Sequence, residues 1–346
     1  MSPSASDGAR RVLVTGGAGF VGGHLVRLLA TRGHEVTVFD LSSPPAADSR
    51  ARYVQGSILD RAALRRALDG VDWVFHLAAN PNLWAADDDE FFRVNHAGTK
   101  TVLEEATLAG AKRIVHTSTE SILVSRLRER NAGLVDETVE RRLDDMCGRY
   151  CQSKLLAEQE ALRAAAAGAP VVVVNPTMPI GEEDHRLTPP TRMLLDFLRG
   201  RNPAYLEFAF NLVDVRDVAL GHLLAAERGR VGQRYILGGV NVTLSQLLAM
   251  LRELTGRPMP TVRIPYAVAW TVAAIAQALA DHVTGKPPMA TLTGIRLAGA
   301  GLRIDGGKAA RELGYVAGPL GEAVRRAVAW LVAAKHLQLE PNGGTP

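Results

Sequence analysis

The chain of 346 residues contains only two cysteines, Cys147 and Cys151. So few exclude a disulfide framework. Four positions apart at the start of an expected helix, they read as small residues packing beside Tyr150 rather than as a redox pair. No cluster of His, Cys and carboxylate residues has metal-ligand spacing, so no metal is expected. Met1–Arg11 is polar and lacks the apolar core of a signal peptide. With unpaired thiols, that makes the cytoplasm the expected compartment. An excess of charge is missing too: 40 Lys and Arg stand against 36 Asp and Glu, a net +4. The densest basic run, Arg126-Leu127-Arg128-Glu129-Arg130, has no interleaved aromatics. It reads as a solvated loop, and no nucleic-acid partner is expected. There is no internal repeat or low-complexity tract.

Charge is absent altogether from Ile264–Ala280, 17 residues containing Trp270, Thr271 and Gln277. The run is at the short limit for a membrane span and is rich in Ala. A buried lobe helix with Pro265 in its first turn is the leading expectation. Lining an apolar substrate tunnel and weak contact with a membrane surface are the alternatives.

What is present is concentrated in Val12-Leu13-Val14-Thr15-Gly16-Gly17-Ala18-Gly19-Phe20-Val21-Gly22. An apolar strand breaks into glycines and reopens as a helix, Gly22–Arg32. Gly16 allows the tight turn, Gly19 the approach of a pyrophosphate, and Gly22 close helix–strand packing. The helix N-terminus then offers free N–H groups and a positive dipole end to phosphates. A second strand, Glu35–Phe39, ends in Asp40, 18 positions after Gly22. A carboxylate there accepts hydrogen bonds from the adenosine ribose and repels a 2′-phosphate. Leu41 to Pro45 supply no cation, so NAD is favoured over NADP.

Short β-branched runs at Arg11–Thr15, Glu35–Phe39, Arg52–Gln55, Trp73–His76, Arg113–Thr117 and Val171–Asn175 alternate with helical patterns. The helices expected are Gly22–Arg32, Asp60–Leu68, Glu90–Ala109 and Arg149–Ala167. That alternation predicts an α/β fold with a doubly wound parallel sheet, whose ligands lie beyond the carboxyl ends of the strands. The Gly-rich turn, Asp40, His76 to Ala79 and Thr117 to Ser121 all fall at those ends. Asn211–Asp217 followed by a helix capped by Asp217 reads as a return to the first domain, with Gln233–Leu237 as its last strand. A helix at Thr243–Thr255 is capped by Thr243 or Ser245. The expected division is a tail over 1–10, a dinucleotide-binding domain over 11–175 and about 211–240, a smaller, mostly helical substrate lobe over about 176–210 and 241–335, and a flexible tail over 336–346.

Tyr150 and Lys154 are spaced i, i+4 and share a helix face. A phenol is a poor base at neutral pH, but an adjacent ammonium and a positively charged nicotinamide stabilise its phenolate. The pair then exchanges a proton with an alcohol while hydride moves to the cofactor. Thr119, just beyond the strand Arg113–Thr117, is the hydroxyl expected to bind the substrate oxygen, with Ser118 as the alternative. Glu120 is either an added acid or a structural residue. His76 and His116 read as scaffold histidines.

These features resemble the extended short-chain dehydrogenase/reductases, which have a Rossmann-type sheet. The resemblance rests on Thr15 to Gly22, His76-Leu77-Ala78-Ala79, Asn95-His96-Ala97-Gly98-Thr99, Thr117-Ser118-Thr119 and Tyr150 to Lys154. It covers most of residues 11 to 240. It implies that Thr119, Tyr150 and Lys154 are catalytic. It further implies a cofactor shell of Gly16, Gly19, Phe20, Val21, Gly22, Asp40, Ser57, Ile58, Leu77, Ala78, Ala79, Asn95, Thr117, Tyr150, Lys154, Asn175 and Pro176. Within that shell Asn95 would support a proton relay. The family has Asp where Ser57 stands, so adenine binding is weakened. Helices Glu90–Ala109 and Arg149–Ala167 would pair across a two-fold axis in a homodimer.

Two subfamilies compete. Asn175 to Gly181 and Tyr235 to Gly239 resemble the hopanoid-associated sugar epimerases and dihydroflavonol reductases. Val38-Phe39-Asp40, Phe92 to Asn95, Ile264-Pro265-Tyr266, Gly294 to Gly299 and Glu312 to Tyr315 resemble the 3β-hydroxysteroid dehydrogenases. Glu120-Ser121 stands where nucleotide-sugar 4,6-dehydratases have Asp-Glu, which argues against dehydration. The expected function is NAD-dependent interconversion of a secondary alcohol and a ketone on a bulky apolar, steroid- or terpenoid-like molecule. A nucleotide-sugar epimerase with tightly held NAD is the alternative. For the substrate side the expectation is an apolar pocket lined by Phe197, Tyr205, Phe208, Phe210 and Tyr266, with Arg186, Arg192 and Arg201 as the cations available to a phosphate.

Overall fold

The computed structural model describes residues 8–43, 48–126 and 134–338. The basic run beyond Arg126, most of the N-terminal tail and the end of the C-terminal tail lie outside the described residues.

The first half alternates as its sequence pattern predicts. β1 (Arg11–Thr15) leads to α1 (Phe20–Thr31), β2 (Glu35–Asp40), β3 (Ala51–Gln55), α2 (Arg61–Leu68) and β4 (Trp73–His76). α3 (Asp89–Phe91) passes through a π-helical turn, Phe92–Ala97, into α4 (Gly98–Leu108). β5 (Arg113–Thr117), α5 (Arg149–Ala166) and β6 (Val171–Pro176) follow. The helix read as Glu90–Ala109 is therefore three segments, and the π turn carries Asn95. α1 opens two residues earlier than the glycine spacing implied. Gly19, extended and with no side-chain cap, precedes it, so its first N–H groups stay free.

With β10 (Arg234–Leu237) at one edge, the main sheet has seven parallel strands in the order β10-β6-β5-β4-β1-β2-β3. The direction of winding reverses between β1 and β4, the crevice where such sheets bind ligands. Register aligns the carboxyl ends across that crevice: Thr15 pairs with His76, and His76 with His116. Val, Leu and Ile rows on both faces are covered by helices, giving one core on each side of the sheet.

After β6 the chain changes partners. β7 (Met178–Ile180), α6 (Pro189–Leu198), β8 (Ala204–Tyr205) and β9 (Ala209–Asp214) come next. α7 (Val215–Arg228) and β10 (Arg234–Leu237) return to the main sheet, with α7 packed against α1. β11 (Val240–Thr243) then pairs antiparallel with β9, and β7 pairs parallel with β9 on its other side, in a separate sheet. β9 thus pairs outside the main sheet, although its Val213 joins the core on one face of that sheet. The cap of α7 is Asp214, whose carboxylate accepts from the Arg216 N–H at 2.9 Å. Asp217 instead accepts from the Gly318 N–H. α8 (Leu244–Thr255) is capped by Thr243, in a reciprocal pair with Gln246.

The remaining elements are β12 (Val262–Arg263), α9 (Tyr266–Leu279), α10 (Leu292–Ala300), α11 (Gly307–Leu313) and α12 (Leu320–Ala333). α6, α8 and α12 enclose the lobe's own core with β7 and β9.

α9 overturns the expectation of a buried helix. Only Ala269 and Ala273 are buried along it, while Val268, Trp270, Val272, Ile275 and Leu279 are exposed. α9 packs against α10, and these large side chains remain exposed. Pro265 caps the helix instead of lying in its first turn. Among the described residues no helix is long and apolar enough to cross a membrane.

Candidate active site

The Gly-rich turn joins β1 to α1 beside β4. Gly16 has φ +73, and a Cβ there would lie 2.5 Å from the Ala78 nitrogen. At Gly22 a Cβ would meet the Gly16 carbonyl oxygen at 2.2 Å. Both positions therefore demand glycine, one for conformation and closeness, the other for closeness alone. A Cβ at Gly19 would meet only the Gly16 oxygen, at 3.2 Å. The turn's outer side is thus open beside the free N–H groups of α1, a cradle that fits a pyrophosphate.

Asp40 stands at the end of β2 with its carboxylate fixed. One oxygen accepts from the Ala18 N–H at 3.0 Å and the other from the Ser42 N–H at 3.1 Å. Ser57 follows β3, and its hydroxyl already accepts from the Leu59 N–H at 3.2 Å. Ile58 is buried against Gly98. Leu77 continues the β4 ladder to the Thr15 carbonyl, and Ala78 packs under Gly16.

Asn95 is fully buried and its amide is committed. It accepts from the Asn80 N–H at 2.7 Å and donates to the Asn80 carbonyl and the Ser153 hydroxyl. It ties the loop after β4 to α5, the helix of Tyr150. This arrangement positions the loop and the helix.

Tyr150 lies in the first turn of α5, opposite the end of β5. Thr119 and Ser121 face its hydroxyl and favour its ionised form. Thr119 Oγ1 lies 3.1 Å from both Glu120 Oε2 and Ser121 Oγ. Burial raises the Tyr150 pKa above the ordinary phenol value, the hydrogen bond from Thr119 opposes this, and the charge of Glu120 raises it further. Lys154 donates from Nζ to the Thr117 carbonyl at 2.7 Å. Burial lowers its pKa to about 8, against the charge of Glu158. The sequence assigned control of the Tyr150 proton to Lys154. Thr119 and Ser121 are further groups that favour its phenolate, and the ammonium, with three N–H donors, gives one to the Thr117 carbonyl.

Ser121 had no sequence signal beyond following Thr119 by two. The short 3₁₀ turn Glu120–Ile122 folds it back toward Tyr150. Ser118, the alternative to Thr119, has a buried hydroxyl with no partner. Asn175 donates to Glu158 and to the Thr119 carbonyl, but its buried Oδ1 has no partner. These two orphaned atoms lie at the ends of β5 and β6, the edge of the sheet where ligands bind. Pro176 ends β6. His76 bridges Thr15 and Thr99 at 2.7 and 2.9 Å, and burial pushes its pKa down to about 3, so it serves the scaffold. The Thr117 hydroxyl is held by His222 at 2.9 Å. Burial pushes the Cys147 thiol up to about 11 and that of Cys151 to about 12, which leaves both inert at neutral pH.

α10 roofs the Tyr150 side. Arg296 donates to the Cys147 carbonyl at 3.1 Å, and Thr293 stands against Gly148. Half-buried Leu297, Ala300 and Leu302 pack with Tyr150 on a cluster that includes Ile122, Leu123 and Met146. Of the aromatics expected in the pocket, Phe197, Tyr205 and Phe210 are buried in the lobe's own core. Arg201 pairs with Asp196, and Arg186 reaches Ser42 at the far end of the crevice. Among the described residues no group of three or more His, Cys, Asp or Glu side chains is gathered to hold a metal.

Glu120 is the titrating neighbour. Burial raises its pKa to about 7, so it is neutral below that pH and charged above it. Its charge opposes ionisation of Tyr150, the group expected from the sequence to be the base in alcohol oxidation. Glu120→Gln should therefore move the acid limb of the oxidation rate to lower pH. A kcat profile from pH 5 to 10 reads this, and an unmoved limb would uncouple Glu120 from Tyr150.

A glycine-turn crevice leading to a tyrosine that can exchange a proton defines a nicotinamide-dependent oxidoreductase on a Rossmann-type fold. The family model for the NAD dependent epimerase/dehydratase family matches residues 12–238, and the chain belongs to that family. It is similar to a Synechocystis protein named for dihydroflavonol 4-reductase, with 37% identity over 92% of this chain and 93% of that one. It is also similar to sterol demethylase protein B of Methylococcus capsulatus, with 35% identity over 92% of this chain and 97% of that one. The crystal structure of gox2253 superposes with a TM-score of 0.81 at 34% identity, covering 95% of this chain and 100% of that one.

Proposed function

We propose that the chain interconverts a secondary alcohol and a ketone on a bulky apolar substrate of steroid or terpenoid type. One observation carries this: Tyr150 packs on the same apolar cluster as Leu297, Ala300 and Leu302, under the helix α10. A pocket with one polar corner and apolar walls suits a large hydrocarbon body bearing one hydroxyl. An epimerase must hold its oxidised intermediate while that turns over, and does so by gripping a charged nucleotide tail. Of the three arginines open to that role, Arg201 pairs with Asp196, and Arg186 stands at Ser42 and Asp40 at the far end of the crevice from Tyr150. The sterol in the name of the Methylococcus relative points the same way.

In this reading Gly16, Gly19 and Gly22 with the N-terminus of α1 hold the pyrophosphate, and Asp40 takes the adenosine ribose. Bound NAD supplies the hydride acceptor. Thr119 holds the substrate oxygen, and Tyr150 takes its proton in oxidation and returns it in reduction. Lys154 places a cation behind that proton while it remains protonated. The apolar roof keeps water from the carbinol. The test offers NAD with sterol and terpenoid alcohols and, separately, with nucleotide sugars. Growth of reduced-nicotinamide absorbance with an apolar alcohol supports the proposal. Sugar inversion with no such growth, and silence toward every apolar alcohol, would overturn it.

Two surfaces accompany the proposal. The outward row Val268, Val272, Ile275 and Leu279 of α9 continues to exposed Val283. Through α10 it adjoins the roof of Tyr150. We propose weak contact of this row with a membrane surface that holds the substrate. Flotation with phosphatidylglycerol-containing vesicles, lost on joint Val272→Asp and Ile275→Asp change, supports it; no flotation of the wild type counts against it. The outer faces of α4 and α5, with Leu108 exposed, are proposed to meet a second copy in the cytoplasm. Sedimentation as a monomer would exclude that dimer.

A further inference from the structure

The local sequence after Asp40 contains no cation, yet the fold brings one there. Arg186 donates from Nη2 to the Ser42 hydroxyl at 2.6 Å, across 144 positions of sequence. The same nitrogen lies 3.9 Å from Asp40 Oδ1, and the guanidinium is largely exposed while the carboxylate is not.

The segment that carries Arg186 is strapped down at several points. It leaves β7 at Gly181 and crosses α1. The Glu182 carbonyl meets His24 Nε2 at 3.0 Å, and Glu183 pairs with Arg27 at 2.6 Å. The side chain of Glu182 is held by Arg216 and Arg326. Asp184, fully buried, closes the bend by accepting from the Thr188 N–H and hydroxyl. Glu183 and Leu187 take φ +66 and +48, conformations that L residues adopt only when their surroundings fix them. The strap thus presents Arg186 to one place, the outer edge of the site where Asp40 would hold the adenosine ribose. Arg50, a nearby cation in sequence, is committed to Asp48 and Thr31.

We infer that Arg186 and Ser42 form an anchor for the 2′-phosphate of NADP, so that this chain accepts both dinucleotides. The inference rests on the reading of the Gly-rich turn and Asp40 as a dinucleotide site. Asp40 alone would repel that phosphate. A guanidinium on its outer side offsets the repulsion and offers a planar fork of donors to the phosphate oxygens, with the Ser42 hydroxyl as a further donor. The Asp40 carboxylate stays turned inward, held by the Ala18 and Ser42 N–H groups, and remains available to the ribose of NAD.

Calorimetric titration of wild type, Arg186→Ala and Arg186→Lys with NAD and with NADP tests this. The wild type should bind NADP within about tenfold of NAD. Arg186→Ala should weaken NADP about tenfold or more while NAD changes less than about threefold, the scale of losing charge-assisted hydrogen bonds. Arg186→Lys should restore part of the loss, since the charge returns without the fork. An unchanged NADP-to-NAD ratio in Arg186→Ala would overturn the inference, as would a wild type that binds NAD but not NADP. A wild type that binds neither would overturn the dinucleotide reading beneath it and the inference with it, and the missing NAD isotherm distinguishes that failure.

Discussion

Tyr150→Phe should lower turnover about 100-fold or more and leave NAD affinity unchanged. The substitution removes one oxygen and keeps the ring, its edge contact with Phe91 and its packing on the cluster of Ile122, Leu123 and Met146. The lost oxygen is the one that meets Thr119 and Ser121, so only the proton path is cut. Nothing in the glycine turn or at Asp40 depends on it. Thr119→Ala should cost less, because water partly replaces a hydroxyl that binds the substrate oxygen. Titration of NAD alongside steady-state kinetics separates the two effects. Equal turnover in Tyr150→Phe and wild type would remove Tyr150 from the mechanism.

Gly22→Ala should abolish tight NAD binding and lower the melting temperature together. The added carbon would sit 2.2 Å from the Gly16 oxygen and 2.8 Å from Gly17 Cα, both rigid backbone. Relief requires α1 to move away from β1. That displaces the free N–H groups that face the pyrophosphate. Overpacking of this kind costs about 1–3 kcal/mol in stability. The same shift at the cradle should weaken NAD at least about tenfold, the equivalent of about 1.4 kcal/mol. Thermal unfolding and an NAD titration read the two losses. Retained affinity in a folded variant would place the pyrophosphate elsewhere.

The main sheet was legible because its signals are local. Each strand from β1 to β6 is a short β-branched run, and each crossover helix has its own period, so alternation alone specified a parallel sheet. The lobe was less legible because its order comes from distant pairing. β9 looks like any strand before a helix, and only its pairing with β11 and β7 takes it out of the main sheet. The uncharged run of α9 was read as buried because hydropathy counts residues and not neighbours. The buried face of the helix is made of Ala269 and Ala273, and the large side chains fall on the exposed faces. At the site, Gly16, Gly22, Tyr150 and Lys154 are visible from spacing. Ser121 and Arg186 are not, since a 3₁₀ turn and a strap from the lobe bring them in, and neither leaves a pattern in the sequence.

The central claim is net hydride transfer from an apolar alcohol, with Tyr150 carrying the proton. A sterol or terpenoid alcohol bearing deuterium on the carbinol carbon, incubated with NAD, tests it most directly. Mass spectrometry of the released nicotinamide should find one deuterium per ketone formed, and Tyr150→Phe should suppress both together. Deuterium retained in an inverted alcohol, with no labelled nicotinamide released, would contradict the account.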